Sequence, residues 1–324
     1  MTFKRLSLLI LTVFAFYTTA NAQLKDDIDQ YQPDQTLMFA QIDTSKLYLD
    51  IYRPQAGSQT EIDGVQKPTI LYVFGGGFAF GERDAILQKR WYRQLTENGF
   101  QVIAIDYRLG LKNLDPNEKT SRMKIMERAM YMAVDDLLTA TKYLLDNGKE
   151  LGVDAENMVI VGSSAGGVTV LQADYMLSRG MRDQLPADFR YKGVICLSGG
   201  IYSKEGKVDY GRTPSPTLLI HGTKDKIVVY NKIRFGKLGF FGANALAKRM
   251  KKYNANYNII RFKDKGHDVA GSLRKTFNEQ MDFIYTNVMK GEKRIVDATI
   301  QDPNISEKYL HVSLKQLYKM GTDQ

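Results

Sequence analysis

The chain has 324 residues, 44% hydrophobic and 25% charged, with 45 Lys+Arg against 36 Asp+Glu and a formal net charge of +9. This composition excludes a disordered, collagen-like, coiled-coil or multi-span membrane protein, and the length suits one large α/β domain or two ordinary ones. The single cysteine, Cys196, excludes an intramolecular disulfide and a multi-cysteine metal site.

Residues 1–22 read as a secretory signal. Lys4 and Arg5 form a basic start, residues 6–17 are apolar apart from Ser7 and Thr12, and Ala20-Asn21-Ala22 supplies small residues for cleavage. The apolar run is shorter than the roughly 20 residues of a spanning helix, and no cysteine stands at the cleavage point for a lipid anchor. The expectation is a secreted or periplasmic protein without stable membrane insertion. The basic residues are spread along the chain, and no basic stripe interleaved with exposed aromatics is visible, which speaks against nucleic-acid binding. A solvated basic surface is expected, with weak attraction to acidic glycans or a negatively charged cell surface as the other reading.

In chain order, Leu47, Leu49 and Ile51 alternate with Tyr48, Asp50 and Tyr52, the period of a half-buried strand. Short apolar runs follow at 69–74, 101–106, 158–161, 193–197 and 217–220, as in parallel strands covered on both faces. Amphipathic stretches lie between and after them, at 85–97, 127–146, 168–179, 243–253 and 272–289. Strand and helix alternate, so the predicted fold is α/β, a mostly parallel central sheet with helices on both faces and at most a small cap. The whole of 23–324 reads as one catalytic domain with its core at 47–289. The tail 291–324 is ambiguous, with a short helix possible at 306–320.

Gly162-Ser163-Ser164-Ala165-Gly166 fits G-x-S-x-G, the nucleophile-elbow pattern. It follows the run 158–161 and opens a helix-like segment, so the turn would hold the Ser164 hydroxyl at the carboxyl edge of the sheet, where open α/β folds bind ligands. A plain serine- and glycine-rich turn would share the letters but not the flanking strand and helix. Gly75-Gly76-Gly77-Phe78 closes the run 69–74. Its backbone N–H groups, with that of Ala165, can face an oxyanion, each donor contributing roughly 3 kcal/mol in an acyl transfer.

Three histidines are available as a base. His221 ends a strand and reads as structural, His311 lies in the tail, and His267 sits on a glycine-containing loop after Ser164 in the chain, which favours it as general base. For the orienting acid, Asp225 lies just past a strand and gives the order Ser, Asp, His. Asp268 adjoins His267 too closely to accept its ring N–H easily, and Asp264 is a poorer alternative. Asp106 reads as a loop anchor beside Arg108.

On these motifs, together with Ile105-Asp106-Tyr107-Arg108, the 221–228 segment and Gly266-His267, the chain resembles α/β-hydrolases of the carboxylesterase and hormone-sensitive-lipase type, over about 47–289. The resemblance implies Ser164 as nucleophile, Asp225 as acid, His267 as base, and Gly76, Gly77 and Ala165 as the oxyanion hole. Two positions depart from the pattern. Phe74 replaces the histidine that usually opens the glycine motif, and Ser163 replaces an acidic residue before the nucleophile. Acetylxylan- and feruloyl-esterase-like secreted proteins are similar.

The expected activity is ester hydrolysis through an acyl-enzyme, on small-molecule or glycan esters, with no metal or organic cofactor. A prolyl-oligopeptidase-like peptidase and a catalytically idle hydrolase-fold binding protein are the alternatives. The polar segment 109–126 is placed to form a rim. Phe235, Phe240 and Phe241 form an aromatic loop, read equally well as cleft lining or as ordinary packing.

Overall fold

Short parallel strands that are buried on both faces cannot satisfy the alternating pattern of a half-exposed sheet, and the central strands here do not. The computed structural model describes residues 28, 30–114 and 119–301. Strands β1 (Gln35–Ile42), β2 (Ser45–Tyr52), β5 (Thr69–Val73), β6 (Val102–Ile105), β7 (Met158–Ser163), β8 (Gly193–Leu197), β10 (Thr217–Gly222), β13 (Tyr257–Phe262) and β14 (Asp297–Ile300) form one sheet. A two-stranded hairpin, β3 (Glu61–Ile62) with β4 (Val65–Gln66), precedes β5. The order across the nine-stranded sheet is β1-β2-β6-β5-β7-β8-β10-β13-β14. The pairs from β6 to β14 are parallel, while β1 with β2 and β2 with β6 are antiparallel. Every residue of β5, β6, β7, β8 and β10 is buried, which explains their uninterrupted apolar reading.

Helices α1 (Ile86–Glu97), α2 (Arg122–Leu151), α3 (Ala165–Ser178), α4 (Ala243–Lys252) and α5 (Phe277–Phe283) cover both faces. Trp91 of α1 donates its indole N–H to Gln280 of α5 at 3.1 Å, fixing that pair on one side. On the other, α2 packs against α3, and the Tyr210 ring meets Tyr175 of α3 and Tyr253 at the end of α4 edge-on. All fourteen residues of helix α3 are buried, and its polar Gln172 and Asp174 are paired with the Tyr202 backbone and with Ser215.

The parallel α/β sheet with helices on both faces is as the sequence reads. The details differ in places. Strand β1 precedes the first expected strand, at an edge where its half-exposed residues hide the alternation. The stretch expected as one helix at 272–289 is α5 followed by a π-type turn at Ile284–Met289. Residues 122–126, expected in the rim segment, open helix α2, with Ser121 capping it by accepting from the Lys124 N–H. Of that segment 115–118 lie outside the described residues, as do the signal at 1–22 and the tail helix at 306–320. No helix among the described residues is long and apolar enough to cross a membrane.

Asp106 is an anchor, as expected, and its partners lie on β2 and on the loop that carries Arg83. It accepts from the Tyr48 N–H and from Arg83, 3.1 and 2.8 Å away, because antiparallel β2 lies against β6 at that point. Arg108 instead grips Asp136 of α2, a fully buried carboxylate, through its side chain at 2.7 Å and its own N–H at 2.7 Å. Removing one partner of such a pair strands a buried charge. Arg108→Ala should therefore lower unfolding stability by about 3–5 kcal/mol in a urea titration, while Arg108→Met with Asp136→Leu should recover most of the loss. A single-variant loss below about 1 kcal/mol, the range of an exposed pair, would refute this account.

Candidate active site

Strand β7 ends in a sharp turn at Ser164, whose backbone sits at φ 52°, ψ −118° before α3 begins. A non-glycine residue at such angles carries strain on the order of 1–3 kcal/mol. Two bonds hold the turn there: the Ser164 N–H donates to the Leu197 carbonyl at 2.9 Å and the Val168 N–H donates to the Ser164 carbonyl at 2.9 Å. Gly166 faces β5 so closely that a Cβ there would overlap the Val73 carbonyl oxygen. Any larger residue would push the turn away from β5.

The loop after β5 lies against this turn. Gly76 has φ +124°, and its carbonyl accepts from the N–H groups of Ala79 and Phe80 at 3.0 and 3.1 Å. A side chain at Gly76 would collide with the Phe80 carbonyl. Phe74, in the place of the expected histidine, stacks on Tyr107 with ring centroids 4.4 Å apart, and the Tyr107 hydroxyl donates to the Phe74 carbonyl. Gly76, Gly77 and Ala165 border the same cavity as Ser164 and His267. Ala165 stands in the first turn of α3, where helical N–H groups have no partner within the helix and the positive end of the dipole lies.

The structure brings Ser164, His267 and Asp225 together from three loops. The Ser164 Oγ is 2.7 Å from His267 Nε2, and His267 Nδ1 is 2.8 Å from Asp225 Oδ2. A carboxylate beside Nδ1 sets the proton there, so Nε2 presents its lone pair to the serine hydroxyl. The other Asp225 oxygen accepts from the N–H groups of Ile227 and Val228 at 2.9 and 3.0 Å. The two loops are stitched to each other, with the Lys224 N–H on the Lys265 carbonyl and the Asp264 N–H on the Thr223 hydroxyl. Asp268 turns away from the ring and accepts from the Gly266 N–H at 2.9 Å, while Asp264 pairs with Lys224.

His221 is structural in position but not remote from the site. Its Nε2 lies 2.9 Å from the Val228 carbonyl and 3.2 Å from Asp225 Oδ2, the same oxygen that His267 meets. Only the four-residue spacing of His221 and Asp225 across a strand end hints at this in the sequence. Burial pushes the Asp225 carboxyl upward, but the hydrogen bonds from His221 and His267 outweigh it and hold the group at about 2. Cys196 is buried beside the Gly167 carbonyl, and burial pushes its thiol up, leaving it an inert part of the core.

A cavity of about 780 Å³ opens over Ser164. Its walls are mostly apolar: Met123, Met126 and Met130 on one face of α2, Phe80 on the glycine loop, and Val228 beside the acid. The methionine spacing of three and four is the readable trace of that wall. The expected aromatic loop is instead a strand pair, β11 (Lys232–Phe235) and β12 (Leu238–Gly242), joined to β9 (Gly200–Ser203) in a small antiparallel sheet. Phe235 and Phe240 border the cavity, whereas Phe241 is buried in the core. Among the described residues no group of three or more His, Cys, Asp or Glu could hold a metal ion.

Residues 49–184 match the BD-FAE family model. The chain is 32% identical over 98 residues to an ethyl acetate hydrolase of Pseudomonas putida, covering 30% of this chain and 26% of that protein. It is 27% identical over 105 residues to the esterase LipI of Mycobacterium tuberculosis, covering 32% and 28%. The chain thus spans about a quarter of the length of these curated relatives. A thermophilic esterase structure from Thermogutta terrifontis superposes with a TM-score of 0.55 at 20% identity, covering 79% of this chain and 94% of that one. The chain shares the fold of that esterase, and its residues 49–184 resemble the BD-FAE family.

A carboxyl held at about 2 instead of 3.8 favours the folded state once it is ionised. That contribution is present above about pH 4 and is lost as pH falls through 2, amounting to about 2 kcal/mol. The stability difference between wild type and Asp225→Asn in urea should stay constant above about pH 5 and shrink by that amount toward pH 2. A difference independent of pH would show that Asp225 is not held ionised by the two histidines.

Proposed function

We propose that the protein is an exported serine ester hydrolase. In this reading Ser164 is the nucleophile, His267 the general base and Asp225 the acid that orients it. As the Ser164 Oγ attacks an ester carbonyl, its proton passes to His267 Nε2, and Asp225 stabilises the imidazolium. The oxyanion forms among the N–H groups of Gly76, Gly77 and Ala165. His267 returns the proton to the leaving alcohol, an acyl group remains on Ser164, and water attacks it by the same route in reverse. The observation that carries this reading is the unbroken Ser164–His267–Asp225 hydrogen-bond relay, 2.7 and 2.8 Å, at the floor of the cavity. A binding module has no need of all three groups.

Residues 1–22 act as the export signal and residues 23–324 as one catalytic domain. The substrate is a small-molecule or glycan ester. The apolar cavity walls support an ester with an apolar acyl or alcohol part, aryl esters of plant glycans included, over an acetyl group on a bare sugar.

Ser164→Ala should cut hydrolysis of p-nitrophenyl butyrate by about a thousandfold or more with the melting temperature retained. A fluorophosphonate probe should label the wild type and not the variant. Undiminished turnover in Ser164→Ala would overturn the mechanism, and inactivity of the wild type on acetylated xylan, methyl ferulate and p-nitrophenyl esters alike would favour the binding protein. Cleavage of peptides in preference to esters would favour the peptidase.

A further inference from the structure

The β11–β12 hairpin keeps more apolar surface in water than its packing requires. All four residues of β11 are exposed, Ile233 by 62% and Phe235 by 82%. In the pair's register Ile233 lies opposite Phe240 and Phe235 opposite Leu238, and all four border the cavity. Met123, half exposed on α2, borders the same cavity. Three of the nine exposed large apolar side chains among the described residues, Met123, Ile233 and Phe235, therefore border one opening. A contiguous apolar rim of this kind marks a contact surface.

The charge around it has one dominant sign. Lys232, Arg234 and Lys237 are exposed on the same hairpin, Lys226 beside the acid loop, and Arg122 and Lys124 on either side of Met123. Of the acids bordering the mouth Glu82 is exposed, while Glu127 is engaged by Tyr202 and Lys204 and Asp268 by the Gly266 N–H. So Lys-Ile-Arg-Phe alternates cations with apolar side chains, a basic and aromatic stripe four residues long that is too short to stand out in the sequence.

We infer that this rim docks the protein on an anionic amphiphile surface, a bilayer or micelle with negatively charged headgroups, with Ile233 and Phe235 inserted and the cations on the headgroups. Charge complementarity selects this occupant. A two-fold contact with a second copy would set Lys232, Arg234 and Lys237 against their own like charges, whereas each cation near an anionic leaflet is attracted. The apolar tip and the cations supply the two signals that reversible surface binding needs. Docking brings the mouth of the cavity onto the surface, so the apolar part of an ester can pass from it toward Ser164. The inference concerns where the protein sits and does not depend on turnover.

The test uses purified Ser164→Ala protein sedimented with vesicles, so that binding is read without hydrolysis. Phosphatidylcholine vesicles containing phosphatidylglycerol should carry the protein down, and phosphatidylcholine alone should not. Binding should weaken as salt rises. Ile233→Ser with Phe235→Ser, and separately Lys232→Gln with Arg234→Gln and Lys237→Gln, should each weaken it by about tenfold or more. The charge variant in the Ser164 background should hydrolyse dissolved p-nitrophenyl acetate at the wild-type rate. Failure of the parent protein to sediment with anionic vesicles, or binding indifferent to lipid charge, would overturn the inference. A concentration-dependent dimer abolished by the same changes, without vesicle binding, would assign the face to a second copy and overturn it as well.

Discussion

The close approach between the turn after β7 and the end of β5 sets the geometry of the site around it. Gly166 lies against the Val73 carbonyl, and a Cβ on Gly75 would come within 2.9 Å of the Ser163 carbonyl oxygen. Because β5 and β7 are neighbours in the middle of the sheet, the loops that leave them emerge side by side at one edge. That adjacency brings the glycine loop up to the serine without any further device. It also explains why α3, which leaves the turn, is buried on every side. A helix clamped between α2 and the sheet cannot shift, so the strained Ser164 backbone is held by packing distributed over fourteen residues.

The other half of the site is fixed differently. Asp225 and His267 come from loops, where neither strand register nor helix packing sets side-chain positions, and hydrogen bonds take over that work. One carboxylate oxygen is occupied by two backbone N–H groups and the other is shared by two histidines. Only His267 touches the serine. With both oxygens engaged, the carboxylate has one orientation, and burial that would otherwise favour its neutral form is overcome. The serine side is therefore rigid by sterics and the acid side by satisfied polar groups.

These two modes account for what could be read in the sequence. The five central strands declare themselves because burial on both faces leaves no polar residue to interrupt them, and the elbow because its glycines answer a steric demand that any backbone at that crossing would make. Ion-pair partners are a different matter. Asp106 and Arg108 are neighbours in the chain, yet one faces β2 and Arg83 while the other faces α2 and Asp136. Both lie past the end of β6, where strand alternation no longer fixes the face a side chain takes, so proximity in sequence was a poor guide. His221 escaped for a related reason: its role lies in a contact across a turn, and a buried histidine ending an apolar strand looks the same whether or not an acid waits four residues on. Strands β1, β9, β11, β12 and β14 were missed because each is short or lies at an edge, with pairing decided by distant partners and little continuous burial to mark it.

The small sheet shows why the unread part matters for function. Strand β9 follows β8 almost directly, and β12 pairs with it so closely that a side chain on Gly200 would strike Phe240. The base of the hairpin is thus tied to the core by backbone hydrogen bonds, and Phe241 is buried there. Strand β11 has no such support: it pairs only with β12 among the described strands, and all four of its residues face water. One wall of the cavity therefore combines a fixed root with an edge strand that the core does not constrain. Its cations are the kind of residue that blunts an edge against pairing with another strand. That role accounts for Lys232, Arg234 and Lys237 but not for Ile233 and Phe235, which would invite association if the edge had only to be protected. Apolar side chains kept on an otherwise guarded edge, at the mouth of an apolar cavity, are accounted for by what enters or meets that cavity.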